Sequence, residues 1–268
     1  MLTAKDIDVV DVEAAHIDKD HLHRITETTV NTWQPDRQVD ELRADTAIGK
    51  VAEAALTSYL QQNGIGHLPW DDVRSDNFQS HAPVDGFIMR SATLQTLTLH
   101  GFATEANAAI DSAHFTQHFR DLWEHNGVFG YEVKSTRIAD RHRAPDGSVD
   151  ADMVLGDDFL LYPSVRHGSL TDRLRGQLLQ QAERDAIATQ TPRILFRAYV
   201  EGKTAPYRVH LIGYIPRDQF FASPHFTVKE MPQRGKSERA IYYAVPLRCG
   251  FPMSGIVKKL RSEEPIRP

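Results

Sequence analysis

The side chains of this sequence best suited to chemistry are Glu132 and Lys134, two apart in the run Gly130-Tyr131-Glu132-Val133-Lys134-Ser135-Thr136-Arg137. Side chains two apart on a strand share a face. An extended run therefore sets this carboxylate beside this ammonium and turns Tyr131 and Val133 toward the core. Such a pair suits metal-assisted attack by water, with carboxylates holding a hard cation and an ammonium adding electrostatic help. The same spacing recurs at Glu201-Gly202-Lys203. That copy falls in a turn between two β-prone segments, where nothing holds it rigidly against a second carboxylate.

Two further acids stand where elements begin or turn. Asp85, in Pro83-Val84-Asp85-Gly86, opens the apolar run Phe87-Ile88-Met89. Glu53 lies on a helix capped by Asp45 or Thr46, whose positions Ile48, Val51, Ala52, Ala55, Leu56 and Tyr59 follow helical spacing until Asn63-Gly64. Gly49, one turn before Glu53, leaves room for another backbone or a ligand. Elsewhere His and Asp cluster at His16, Asp18, Asp20, His21 and His23, and His114 and His118 stand one helical turn apart. Neither spacing fixes a complete ligand set.

These residues need a scaffold, and the pattern of the chain supplies one. Residues 1–45 are expected to hold a short helix and then an extended lead-in. After the helix at 45–64 come a loop at 68–72, a strand at 83–90, its hairpin partner at 91–100 and a helix at 103–124. The strand at 128–138 follows, then a loop with Pro145-Asp146-Gly147 and a short strand at 158–163. A helix at 169–188 carries Leu170, Leu174, Leu178 and Ala182 inward, beside Gln177 and Gln181. Strands at 194–200 and 207–215 are strongly β-prone. The tail from Pro216 reads as irregular with one strand at 240–245.

Composition bounds the rest. The chain has 268 residues and one cysteine, Cys249. That excludes an internal disulfide framework and a multi-thiolate zinc site and points to a reducing, cytoplasmic compartment. No signal-like N-terminus and no apolar run of about 18 residues occurs, so no membrane association is expected. A net charge of −5 argues against a wholly nucleic-acid-coating surface but leaves local basic grooves open. Arg137, Arg141, His142 and Arg143 form one basic group, and Arg166, His167, Arg173 and Arg175 another. No Walker-type phosphate loop is present, so no nucleotide cofactor is expected.

Read together, Gly49-Lys50-Val51-Ala52-Glu53, Pro83-Val84-Asp85-Gly86 and Glu132-Val133-Lys134 followed by Ser135-Thr136 resemble the PD-(D/E)xK, or restriction-endonuclease-like, nuclease superfamily. The resemblance covers about residues 46–215. It implies an α/β fold with a central mixed sheet flanked by helices in αβββαβ order. The 47 positions between Asp85 and Glu132 (132 minus 85) imply an inserted helix, and residues 1–45 and 216–268 would be extensions of a single domain. It further implies Asp85, Glu132 and Glu53 as catalytic and metal-binding acids, the carbonyl of Val133 as a further metal ligand, and Lys134 as the group that positions or deprotonates the attacking water. Gln177, and less directly Gln181, would be auxiliary, and Arg137, Arg141, Arg143 and Arg173 would meet DNA.

The activity so implied is hydrolysis of DNA by one or two Mg2+ or Mn2+ ions per site, in a type II restriction or other defence nuclease and as a homodimer where both strands are cut. A phage or repair nuclease acting on branched or single-stranded DNA is the alternative within the class. A non-catalytic nucleic-acid-binding module of the same fold, or an interaction protein in which Glu132 and Lys134 are a mere surface ion pair, stand outside it.

Overall fold

A computed structural model describes residues 1–17, 19–32, 39–78, 82–99, 101–111, 114–161, 191–232 and 239–262. In chain order the strands are β1 (Asp8–Val12), β2 (Ile65–Pro69), β3 (Gly86–Arg90), β4 (Ile110–Asp111), β5 (His114–Phe115), β6 (Phe129–Arg137), β7 (Asp158–Leu161), β8 (Ile194–Glu201), β9 (Tyr207–Pro216), β10 (Thr227–Pro232) and β11 (Arg239–Pro246). The helices are α1 (Lys19–Thr32), α2 (Val39–Gln62), α3 (Trp70–Val73), α4 (Ser91–Leu99), α5 (Phe102–Ala108), α6 (Gln117–His125), α7 (Ala151–Val154), α8 (Arg217–Ala222) and α9 (Met253–Arg261). The fold is mixed α/β. Among the described residues, no helix is long and apolar enough to cross a membrane.

The main sheet has six strands in the order β1-β9-β8-β6-β3-β2. β6 and β8 run parallel, and every other neighbouring pair is antiparallel. The parallel pair needs a long crossover between β6 and β8. The helix expected at 169–188, with Gln177, Gln181 and Arg173, lies outside the described residues, as do Arg166, His167 and Arg175.

α2 covers one face of this sheet. Its Ile48, Val51, Ala52, Ala55, Leu56 and Leu60 are buried against Ile88, Tyr131, Val133, Phe196 and Ala198, and α9 closes the same core with Met253, Ile256, Val257 and Leu260. The opposite face carries two smaller cores. One joins Leu195 and Tyr199 of β8 to Phe159, Phe220 and Tyr243, beneath the three-stranded sheet β10-β11-β7. The other is aromatic, built on Trp70, Phe87, Phe102, Phe115 and Phe119, with Phe87 and Phe102 edge to face at 5.0 Å. Edge-to-face rings add to area burial, which ties the segment between β3 and β6 down firmly.

Several expectations need correction. The strand pairing on the outer side of β3 is β2, which precedes it in the chain, so 68–72 is the end of a strand and a helical turn and not a loop. Residues 91–99 are helical, although Thr and Leu alternate there. The segment read as a helix over 103–124 is two helices flanking the β4/β5 hairpin, which puts His114 on a strand and breaks its helical spacing with His118. Residues 25–32 are helical and not extended, and α2 begins a turn and a half before Asp45. Open space surrounds Gly49, where an added Cβ meets nothing within 4 Å, so among the described residues no other backbone comes close there. The tail is more regular than expected. It supplies α8, β10, β11 and α9, while the N-terminal segment adds β1 to the main sheet by pairing with β9.

Candidate functional site

β6 arises from alternation. Phe129, Tyr131 and Val133 are buried while the residues between them are half-buried. Tyr131 and Val133 belong to the core beneath α2, so Glu132 and Lys134 leave from the opposite face. There they lie between the aromatic core, reached by Gly130 through Val84, and the core around Tyr199, which is in register with Thr136. Glu132 and Lys134 form a direct ion pair. Burial favours a neutral amine at Lys134, but the charges of Glu132 and Asp85 outweigh it and hold its pKa above the ordinary lysine value.

Asp85 stands at the mouth of β3. Its backbone N–H donates to the Tyr131 carbonyl at 2.9 Å, which extends the β3/β6 register one step and sets Asp85 across from Glu132. Its Oδ2 accepts from the backbone N–H of Val133 at 2.6 Å. The carboxylate thus takes the place of a strand carbonyl at the end of the β3/β6 ladder, which fixes the side chain against β6. Burial pushes the Asp85 carboxyl up, and the neighbouring charge of Glu132 adds to that, against the Val133 N–H and the two lysines Lys134 and Lys50.

Gly86 explains why the turn before β3 ends on glycine. A Cβ there would lie 2.6 Å from Tyr131 Oη and 2.8 Å from the Leu68 carbonyl, so only glycine admits the Tyr131 ring. The Tyr131 hydroxyl in turn lies 2.6 Å from His67 Nε2. Burial alone lowers the His67 pKa to about 4, so the ring is neutral near pH 7.

Glu53 belongs to a second group on the α2 side. Lys50 donates to Glu53 Oε2 at 2.6 Å and to Asp71 Oδ2 at 2.7 Å. Burial pushes the Glu53 carboxyl well up, and Lys50 only partly offsets that, with Asp85 and Asp71 pushing the same way. Asp85 is therefore the link between the two groups, coupled electrostatically to Glu132 and Lys134 on one side and to Lys50 and Glu53 on the other. Asp85, Glu132 and Lys134 come together, whereas Glu53 is held by Lys50 rather than left free. Among the described residues, no three His, Cys, Asp or Glu side chains converge as a ready cage for a metal. The donors best placed to share a cation are the carboxylates of Asp85 and Glu132.

Of the basic residues expected to meet DNA, Arg141 and Arg143 are engaged internally, Arg141 with Asp157 (3.0 Å) and Arg143 with Glu201 (2.9 Å). Arg137 reaches the Ala44 carbonyl at 3.4 Å. Residues missed by sequence are Lys50, Asp71 and Arg197. The first had a signal, since Lys50 and Glu53 are three apart on a helix and so adjacent on its surface. Asp71 approaches only because β2 returns beside β3, which no local pattern announces.

No protein-family model, curated protein or solved structure matches this chain.

Proposed function

We propose that this protein is a magnesium-dependent nuclease that hydrolyses DNA phosphodiesters, with a core of the restriction-endonuclease-like kind. The observation that carries the reading is Asp85 seated on the Val133 N–H across from the Glu132–Lys134 pair. This arrangement sits in an order α2-β2-β3-β6-β8 whose strands pair antiparallel, antiparallel and then parallel. Its three strands differ from the three expected, because β2 stands in for the hairpin partner at 91–100 and Asp85 opens the second of them rather than the first, yet Asp85 and Glu132 face each other from positions 47 residues apart (132 minus 85).

The donor set suits a hard cation. Magnesium takes oxygen ligands, keeps several waters and needs only one or two carboxylates beside the substrate's own phosphate oxygens. Asp85 and Glu132 would hold it, with the Val133 carbonyl as a further oxygen. Partial burial and then the neighbouring charge of Glu132 raise the Asp85 pKa, and a bound cation would offset both. When bound, the ion lowers the pKa of a coordinated water and stabilises charge on the phosphoryl oxygens.

The chain's own residues do the positioning. Glu132 orients the Lys134 ammonium, and because that ammonium is held charged, its part is to bind and orient the attacking water and the phosphate, not to accept a proton. Asp85 is kept in place by the Val133 N–H. Glu53, half-buried and held by Lys50, tunes the negative charge around Asp85 from behind.

The test is incubation of supercoiled plasmid and of single-stranded and branched DNA with the full chain, in magnesium and in calcium. Magnesium-dependent cleavage that Asp85→Ala abolishes, with the circular dichroism of the fold unchanged, supports the reading. Undiminished cleavage by Asp85→Ala refutes the site, and no cleavage of any of these substrates by the native protein refutes the activity. Discrete plasmid fragments would identify a restriction-type enzyme, and cutting confined to branched or single-stranded DNA a repair-type one.

A further inference from the structure

Arg197 is a buried cation for which the chemistry above has no use. It lies in the middle of β8 and is only 5% exposed. The parallel register sets it beside Lys134 on β6, so the two cationic side chains leave neighbouring strands on the same face of the sheet. Lys134 has Glu132 as its counter-ion. Arg197 has no carboxylate partner among the described residues.

What Arg197 does touch is neutral. Its Nη2 donates to Thr136 Oγ1 at 2.8 Å and to Tyr199 Oη at 3.2 Å, and its guanidinium carbon lies 4.6 Å from the centroid of the Tyr199 ring. The nearest acid in this chain of contacts is one hydroxyl away. Tyr199 donates to Asp157 Oδ2 at 2.6 Å, and Asp157 is already shared by Arg141 and His142. The Nε of Arg197 is buried and donates to nothing.

Such a group is expensive to build. A buried guanidinium ordinarily ends on a carboxylate or a phosphate, whose two oxygens match its planar fork. One left without a counter-charge carries an uncompensated desolvation cost, and like charges at paired positions on neighbouring strands repel. Here Glu132 and Asp85 act on Lys134, while the partners of Arg197 beside it are neutral. The ladder between β8 and β9 also slips its register at Arg197/Ala198, an irregularity of the kind that re-aims side chains beside functional sites. A group that only packed would have no need of the charge.

The geometry points to Arg197 as a binding residue for a backbone phosphate of the nucleic acid, beside the phosphodiester that is cut, with Thr136 and Tyr199 holding one arm of its fork in place. The inference rests on the nuclease reading, because it is that reading which brings a polyanion to Lys134. It adds a phosphate contact on a strand that the catalytic motif does not include.

The experiment measures binding of the full chain to a DNA duplex with calcium in place of magnesium over a series of salt concentrations, for the native protein, Arg197→Gln and Arg197→Lys. Loss of one phosphate contact lowers the slope of log K against log salt by about 0.9. Arg197→Gln is therefore expected to show that shallower slope and about tenfold weaker binding at low salt, and Arg197→Lys to keep most of the slope. A second measurement uses duplexes in which one phosphate flanking the cut is replaced by a neutral methylphosphonate. The replacement should weaken native binding about tenfold and cost less in whichever variant folds, which guards against loss of Arg197→Gln to misfolding. Native slope and a full methylphosphonate penalty in a folded Arg197 variant would mean a purely structural arginine and overturn the inference alone. Absence of both DNA binding and cleavage in the native protein overturns the nuclease reading, and this inference with it.

Discussion

The two Glu-x-Lys triplets of this chain are the same in side-chain type and spacing, and their surroundings separate them completely. In the first, the middle residue Val133 is buried in a central strand and gives its N–H to Asp85, so Glu132 and Lys134 inherit the rigidity of strands on both sides. In the second, the middle residue is Gly202 at φ +100°, a backbone conformation that side-chain-bearing residues rarely adopt. Glu201 ends β8 there and turns to Arg143 at 2.9 Å and His210 at 3.4 Å, while Lys203 is exposed in the turn. A short motif means something only when a second element brings it a partner, and Asp85 is that partner for the first triplet alone.

The largest expected effect sets the two lysines against each other. On the proposed nuclease function, Lys134→Met removes the ammonium that would face the reacting phosphate and should lower the magnesium-dependent cleavage rate on the order of a thousandfold, the scale for losing one preorganised charge-stabilising donor. Lys203→Met should leave the rate within about twofold, because an exposed turn lysine lends nothing to a fixed site. Single-turnover cleavage at saturating protein separates the outcomes. Equal losses in both variants would show that the difference in surroundings carries no functional weight.

What the sequence made legible follows the same division between local and long-range causes. The helical stripe of α2, the alternation of β6 and the apolar strands β8 and β9 could be read because their periodicity reflects which face each buries. Asp85 at the mouth of one strand and Glu132 on another could be read from those patterns, while their meeting was implied by the family resemblance alone. β2 could not, since Gly66, His67 and Pro69 weaken its alternation and its extended form is imposed by pairing with β3. The helical state of Ser91–Leu99 was hidden likewise, its Thr-Leu alternation imitating a strand. Beyond the strand expected at 240–245 the tail looked irregular because β10 is held by β11, which in turn pairs with β7 from 82 to 88 residues earlier (243 minus 161 and 246 minus 158). Lys50 and Arg197 were overlooked for opposite reasons: the first was within a quoted motif but hidden by the glutamate beside it, the second is visible only once the parallel register with Lys134 is known.

A middle-sized effect tests the packing that stands behind the first triplet. Gly86→Ala places a methyl 2.6 Å from Tyr131 Oη and 2.8 Å from the backbone carbonyl of Leu68. Neither is the free end of a flexible chain, because the Tyr131 hydroxyl is tied to His67 and the carbonyl belongs to a strand. Overpacking of this kind costs about 1–3 kcal/mol. Chemical denaturation should show that loss, and cleavage should fall as well, because Tyr131 flanks Glu132 and its displacement shifts β6 against Asp85. Unchanged stability would show that Tyr131 can leave its site freely, and with it that the strand pairing beneath Glu132 and Lys134 is looser than its contacts imply.

The smallest effect belongs to the second triplet and is one of stability with no change in cleavage. Burial pushes the Glu201 carboxyl upward, but hydrogen bonds from Arg143 and His210 outweigh it and hold the group below the ordinary glutamate value. A carboxylate whose pKa is depressed by folding contributes stability that is fully present above its unfolded pKa and is lost as pH falls through the folded one. Glu201→Gln should therefore cost about 1 kcal/mol or less near pH 7, as expected for a half-exposed ion pair, and the gap to the native protein should close below about pH 4. His210 acts in the same direction over a higher range, since burial lowers its pKa despite the neighbouring carboxylate, so its unfolded form takes up a proton first and the native protein loses stability from about pH 6.5 downward. Removing Glu201 withdraws the one group that raises the His210 pKa through a hydrogen bond, and the decline attributable to His210 should become steeper in Glu201→Gln. Urea midpoints of both proteins between pH 3 and pH 8 test this: a gap that does not close in acid would mean that Glu201 acts through packing and not through its charge.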